Sequence, residues 1–98
     1  MSEGVACRAD LWLWRARFFK TRTLAAEFVE KRRIRLTRSG LEHRLDKSAR
    51  PIKVGDRLVF ALGGRVVAIV VKGLGERRGP AEEARTLYST LESDSSPD

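Results

Sequence analysis

Eight cations fall within one stretch, RADLWLWRARFFKTRTLAAEFVEKRRI: Arg8, Arg15, Arg17, Lys20, Arg22, Lys31, Arg32 and Arg33. The only acids in it are Asp10, Glu27 and Glu30, and aromatic and aliphatic residues lie between the charges. The chemistry that such residues do is anion recognition. A guanidinium is a planar fork that can hold a phosphate through two parallel hydrogen bonds, whereas an ammonium acts as a point charge. Lys20-Thr21-Arg22-Thr23 concentrates this property, because two cations, two hydroxyls and the free amides of a helix start meet there. The same four residues would also suit a solvated turn with a capping threonine. Lys31-Arg32-Arg33, followed by Arg35 and Arg38, extends the run. Cations near a helix C-terminus are favourable in themselves, but three in succession exceed that need. The pattern suits a helical pair that buries one face and offers the other to a polyanion, and it reads as an RNA-binding module.

Other chemistries find less support. Asp10 lies inside the basic stretch, where a carboxylate invites a catalytic reading; its position before an apolar run favours a helix cap that orients Arg8 or a neighbouring arginine. Trp12 and Trp14 could stack on unpaired bases, a contact worth about 1–3 kcal/mol per base. Aromatics at helical spacing belong more often to the core, so Trp14 is assigned there and Trp12 is left open. Cys7 and His43 are the only pair for a thiol–imidazole or zinc site, and structural zinc takes four ligands. There is no glycine-rich phosphate loop. The expectation is a protein that is not an enzyme, with no cofactor, no metal and no small-molecule substrate.

These residues need elements to position them. Asp10 as a cap predicts a first helix over 11–19, with Leu11, Trp14 and Phe18 as its apolar stripe. Thr21 or Thr23 caps a second helix over 23–32, whose core face is Leu24, Ala25, Phe28 and Val29. Ile34 and Leu36 alternate with Arg35 as in a half-buried strand, and 37–50 reads as mostly loop. Arg57–Leu62 and Arg65–Lys72 form the clearest hairpin, because Gly63-Gly64 tolerates the positive φ of a tight turn. Gly73–Gly79 is a basic connector. Pro80 opens a last helix with Ala84, Leu87, Tyr88 and Leu91 on its apolar side.

Composition sets the frame. The chain of 98 residues makes one domain, and a net charge of +7 points to nucleic acid or an anionic membrane as partner. Residues 1–50 carry thirteen Lys or Arg against six acids, whereas 51–98 carry seven of each. The binding surface is therefore expected from the first half. The lone Cys7 excludes an intrachain disulfide, and no apolar run approaches the ~20 residues of a spanning helix. A cytoplasmic protein without membrane contact is expected.

The motif Arg8-x-Asp10-x-Trp12-Leu13-Trp14-x-x-Arg17-x-x-Lys20-Thr21-Arg22-x-x-Ala25 resembles the opening of the ribosomal-protein S-four-type RNA-binding domain, also called the alpha-L motif. Glu27-Phe28-Val29 with Ile34-Arg35-Leu36, and Lys47-Ser48-Ala49-Arg50 with Val54-Gly55-Asp56, continue the resemblance. Glu76-Arg77-Arg78-Gly79-Pro80 with Glu83-Ala84-x-x-Leu87-Tyr88 resembles the extension of one branch, the heat-shock protein fifteen family. In two places the chain departs from it. Arg32 stands where the family has glycine, and Thr37-Arg38 where it has Asn-Gly. A non-glycine residue at a left-handed position costs about 1 kcal/mol, so loop 37–46 is expected to be longer or differently shaped.

The resemblance implies an α+β fold, with two N-terminal helices on a short bent antiparallel or mixed sheet and a C-terminal helix. It divides the chain into a flexible N-terminus (1–7), an RNA-binding domain (8–74), a connector with the last helix (75–92) and a disordered tail (93–98). It implies a partner in ribosomal RNA on the large ribosomal subunit, with nascent-chain tRNA as a further contact, and a role in returning that subunit to use after heat stress. No catalytic activity comes with it. Lys47 and Arg50 join the contact residues on this ground. The expected RNA-binding set is Arg8, Arg15, Arg17, Lys20, Thr21, Arg22, Lys31, Arg32, Arg33, Arg35, Lys47 and Arg50; Arg77-Arg78 either join it or dock the last helix. Two other readings stay open: an accessory module acting with a separate RNA-modifying enzyme, and a DNA-binding regulatory module.

Overall fold

In the computed structural model, which describes residues 5–91, the chain runs β1 (Cys7–Arg8), α1 (Ala9–Arg15), α2 (Arg22–Lys31), β2 (Ile34–Arg38), β3 (Leu41–Leu45), β4 (Pro51–Ile52), β5 (Arg57–Leu62), β6 (Arg65–Val71), α3 (Ala81–Ala84), a 3-10 turn (Arg85–Leu87) and β7 (Tyr88–Thr90). One sheet has the order β3-β2-β5-β6-β7, and β1 pairs with β4 as a separate ribbon. Every pairing is antiparallel. The α+β class holds, and the sheet is antiparallel rather than mixed.

One face of the sheet builds the core. Alternation places Ile34 and Leu36 of β2, Leu45 of β3, Leu58 and Phe60 of β5, and Ile69 and Val71 of β6 under the helices. Each such side chain contributes about 1.5–3 kcal/mol by leaving water. Ala9, Trp12, Leu13 and Ala16 of the α1 region complete the seal with Ala25 and Val29 of α2. The opposite face carries Arg35, Arg57, Ala61 and Val66, all exposed.

The predicted β5–β6 hairpin is present, and Gly63 and Gly64 take φ of 62° and 80°, as its two-residue turn requires. Residues 37–50 correct the expectation of a loop. Ser39 and Gly40 take φ of 53° and 78° and close a second two-residue hairpin, β2–β3. This strand pair was illegible because β3 is an edge strand that buries only Leu45, so its sequence does not alternate. Of the two expectations for 37–46, a longer loop or a different shape, the segment is not longer: it is a tight turn between two strands. Arg32, at φ −112°, is extended rather than left-handed, so the missing glycine costs nothing.

The first helix spans Ala9–Arg15 rather than 11–19. Asp10 lies in its first turn and is not the cap. Capping is long-range: the amides of Ala9 and Asp10 donate to the carbonyls of Arg50 and Ser48 at 2.9 and 3.1 Å. The buried stripe is accordingly 9, 12, 13, 16. Trp12 is fully buried and donates Nε1–H to the Gly73 carbonyl at 2.8 Å, whereas Trp14 is half-buried. Trp12, left open by the sequence, is therefore a core residue, and Trp14, expected there, is only partly so.

The end of α1 follows the Schellman pattern, with Phe18 N donating to Leu13 O and Arg17 N to Trp14 O, both at 3.0 Å. Arg17 occupies the left-handed position at φ 67°, where glycine is usual and another residue costs about 1–2 kcal/mol. Phe18 then packs edge-on against Phe60 at 5.7 Å and against Tyr88 at 4.9 Å. The second helix spans Arg22–Lys31, and Thr21 rather than Thr23 is its N-cap, accepting from Leu24 N at 3.0 Å. Leu24, expected in the core, is 47% exposed.

The last helix is shorter than predicted. After four α-helical residues the chain tightens into the 3-10 turn, and Tyr88–Thr90 pairs with β6. Ala84 and Leu87 are buried as expected, but the amides of Lys72 and Gly73 both take the Leu87 carbonyl. An unpaired β6 edge competes successfully with continued helix. At the N-terminus Cys7 is buried in β1, which corrects the expected flexibility there. Residues 1–4 and 92–98, with most of that segment and the expected disordered tail, lie outside the described residues.

Candidate nucleic-acid interface

The starts of both helices meet at Asp10. Its carboxylate is 4% exposed and accepts from Arg8 Nε and Nη2 at 3.0 and 2.9 Å and from the Leu11 amide at 2.7 Å. Arg22, the first residue of α2, places Nη2 3.9 Å from the same carboxylate. Both guanidiniums stay about half exposed, so each is held on one side and open on the other. Arg8 commits Nε and Nη2 to Asp10, and its Nη1 has no partner among the described residues. The loop of Lys47 and Arg50 closes the same site. Its Ser48 carbonyl takes the Asp10 amide, and its Ser48 hydroxyl donates to Glu30 of α2 at 2.7 Å. Those bonds from Ser48, with the charge of Lys47, hold the Glu30 carboxyl below its ordinary value.

Burial pushes the Asp10 carboxyl up, but the hydrogen bonds from Arg8 and Leu11 and the charges of Arg8 and Arg22 outweigh it, and the group sits below its ordinary value. The ionised form is therefore the native one. Its contribution to stability is complete above the unfolded-state pKa, about 4, and is lost as pH falls through the lower folded-state value. The expected result is that thermal melting of Asp10→Asn lies below wild type at pH 7 and that the gap closes below about pH 4. A gap that persists unchanged into acid would show that the carboxylate charge is not what matters.

A second group of cations stands beyond the far end of α2. Nine residue steps at about 1.5 Å each put Lys31 roughly 14 Å along the helix from Arg22. Lys31, Arg32 and Arg33 are exposed, and none makes an ion pair or side-chain hydrogen bond among the described residues. Lys20, in the turn before Thr21, is likewise exposed and unpaired there. Arg35 follows on the outer face of β2 and pairs with Glu42 at 2.6 Å. Directly across the ladder from it stands Arg44, absent from the expected set. Like charges placed opposite each other destabilise a sheet, so this pair is not explained by folding. Arg33, Arg35 and Arg44 line one shallow groove with His43 and Glu42. Reading Ser39-Gly40 as a hairpin turn would have revealed Arg44.

No protein-family model matches the chain. Over 88 residues it is 36% identical to heat shock protein 15 of Escherichia coli K12, covering 87% of this chain and 60% of that protein. The chain belongs to the heat shock protein 15 family. The heat shock protein 15 homolog of Haemophilus influenzae is 33% identical over 86 residues, covering 88% of this chain and 62% of that one. The chain thus spans about three-fifths of the length of the curated relatives it matches. The solved trimeric structure of Vibrio cholerae heat shock protein 15 superposes with a TM-score of 0.78 at 29% identity, covering 91% of this chain and 85% of that chain.

In this member of the heat shock protein 15 family, not every predicted cation faces the interface. Arg15 Nη1 donates to the carbonyls of Leu74 and Gly75 at 3.3 and 2.8 Å and to Cys7 Sγ at 3.6 Å. Arg17 Nε donates to the Gly79 carbonyl at 2.7 Å. Both hold the 73–79 segment, Arg15 from a partly buried position and Arg17 from an exposed one. Thr21 uses its hydroxyl as the cap. Arg38 is bound to Asp56. Of the open pair, Arg77 docks the last helix through Glu83 at 2.8 Å, and Arg78 donates to the carbonyls of Trp14 and Phe19. Burial pushes the Cys7 thiol up, against the nearby Arg15, so it is a packed thiol rather than a nucleophile. Among the described residues no group of three or more His, Cys, Asp or Glu could hold a metal. No helix of the described chain is long and apolar enough to cross a membrane.

Proposed function

We propose that this chain is a non-enzymatic RNA-binding protein that docks structured ribosomal RNA on the large ribosomal subunit, in the cytoplasm, as part of ribosome rescue after heat stress. The observation that carries the reading is the run of cations along α2: Arg8, Lys20 and Arg22 at its start, Lys31, Arg32 and Arg33 at its far end, and Lys47 and Arg50 on the loop that touches Asp10 and Glu30 between them. Most have no acidic partner among the described residues, so their charge remains available to phosphates. Asp10 fixes the orientation of Arg8, which lowers the entropy of ordering on binding. Specificity in such a site follows RNA shape and phosphate placement more than base edges. The resemblance to the alpha-L motif supports the same surface, and the family name supports the link to heat shock.

Each phosphate contact releases counterions, so the logarithm of affinity falls steeply with the logarithm of salt. Removing a single contact, as in Lys20→Ala or Arg22→Ala, is expected to lower that slope by about 0.7–0.9 while the fold stays intact. Unchanged affinity and slope in both variants would remove the turn from the site. Competition at matched salt between folded ribosomal RNA and duplex DNA separates this reading from a DNA-binding module; preference for the duplex overturns it. Co-purification of an RNA-modifying enzyme would support the accessory role instead.

A further inference from the structure

The segment Gly73–Gly79, which leaves β6 and leads to α3, is anchored along its length to the end of α1 and the turn after it. Trp12 Nε1 takes the Gly73 carbonyl at 2.8 Å. Arg15 takes those of Leu74 and Gly75, and Arg17 that of Gly79. Arg78 reaches back: its Nε donates to the Trp14 carbonyl at 3.2 Å and its Nη2 to the Phe19 carbonyl at 3.3 Å. Its guanidinium carbon also lies 5.8 Å from the centre of the Trp14 ring, in cation–π range. Phe19 is the residue before Lys20, so Arg78 grips the backbone at the point where the phosphate-facing turn begins. The left-handed backbone of Arg17 has the same meaning. Glycine would relieve that conformation but would remove the side chain that holds Gly79.

We propose that residues 73–79 are a strap that sets the α1–α2 turn in its RNA-binding shape, with Arg78 as a positioning residue acting through the Phe19 carbonyl. This rests on the RNA-binding reading of Lys20 and Arg22 above. The strap makes no phosphate contact of its own. It holds Lys20, Thr21 and Arg22 in one arrangement before RNA arrives, so less ordering accompanies binding. Four arginines of a strongly basic chain thereby divide into two that face RNA, Arg8 and Arg22, and two, Arg17 and Arg78, that shape the surface RNA meets.

The test compares Arg78→Ala, Arg78→Lys and Arg22→Ala in the full chain. Backbone amide exchange is followed at residues 19–22, and affinity for large-subunit ribosomal RNA is titrated with salt. Arg78→Ala is expected to speed exchange at 19–22, leave β5–β6 exchange unchanged, and weaken binding about ten-fold with no change in salt slope. Arg22→Ala should instead lower the slope and leave exchange alone. Arg78→Lys keeps the charge but lacks the fork, so it should resemble Arg78→Ala. A slope reduced by about 0.8 in Arg78→Ala would make Arg78 a direct phosphate contact and overturn the proposal. Unchanged exchange and affinity would overturn it as well. Should Arg78→Ala not fold, Arg17→Gly tests the same strap at a position where glycine relieves the backbone, with faster exchange at 19–22 expected. If the wild-type chain binds no RNA, the RNA reading fails alone, and the strap is judged on exchange.

Discussion

Arg38→Ala is expected to destabilise the fold by about 3–5 kcal/mol, because it strands a buried charge. Asp56 is 1% exposed and lies in the turn that leads into β5. Its carboxylate accepts from Arg38 Nε and Nη2 at 2.8 and 2.7 Å and from the Lys53 amide at 2.9 Å. Arg38 Nη2 also donates to the Pro51 carbonyl at 3.1 Å, so one guanidinium joins the end of β2 to β4 and to the turn before β5. Donating to the Asp56 carboxylate also holds the Arg38 proton more tightly than usual. Truncation leaves the carboxylate with a single amide donor. For a chain of this size the melting temperature should fall by about 12 °C or more. Arg38→Lys should lose much of the same stability, since an ammonium cannot reproduce the two-point fork. Urea unfolding decides the matter, and a loss under about 1 kcal/mol would place this pair with ordinary surface ion pairs.

The second large effect belongs to binding. Removing Lys31, Arg32 and Arg33 together by alanine should lower the salt slope by about 2–3 and weaken binding to folded ribosomal RNA about 10²-fold at 0.1 M salt. The three side chains are exposed and unpaired among the described residues, so the fold should tolerate their loss. Alanine also suits the helix end at Lys31. A change of slope below about 0.7 would mean that fewer than one of these residues meets a phosphate. The Arg35 and Arg44 pair offers a contrast. Arg35 already has Glu42 at 2.6 Å, so Arg44→Ala should affect binding more than Arg35→Ala if the groove between β2 and β3 is used.

What could be read from the sequence follows how local each signal is. The β5–β6 hairpin was plain, since Gly63-Gly64 separates two apolar runs and the pairing needs no other part of the chain. The second helix was nearly right for the same reason, with Thr21 as the local cap. Features that depend on distant partners were missed. The register of α1 is set by the carbonyls of Ser48 and Arg50. Its buried stripe also uses two alanines, Ala9 and Ala16, which carry too little hydrophobic weight to outvote Leu11 and Trp14. Strand β3 hides because an edge strand with one buried residue does not alternate. β7 forms because β6 offers an unpaired edge, which the helical spacing of Ala84 and Leu87 does not reveal.

The candidate site was legible in residue type and less so in direction. Cation density pointed to the first half of the chain, and the Arg8–Asp10 pairing was anticipated. Arg15 and Arg17, however, look like Arg22 in sequence, although their guanidiniums end on main-chain carbonyls about sixty positions away. Composition cannot separate a cation that faces carbonyls from one that faces water. Arg44 was missed for the converse reason, since only the hairpin places it beside Arg35.

The most direct test of the account is ultraviolet crosslinking of the protein to large ribosomal subunits in heat-stressed cells, with the attached peptides identified by mass spectrometry. The account predicts crosslinked peptides that contain Lys20–Arg22, Lys31–Arg33 and Lys47–Arg50, joined to large-subunit ribosomal RNA. Crosslinks confined to the outer sheet face around Val59, Ala61 and Val66, or joined only to other RNAs, would contradict it.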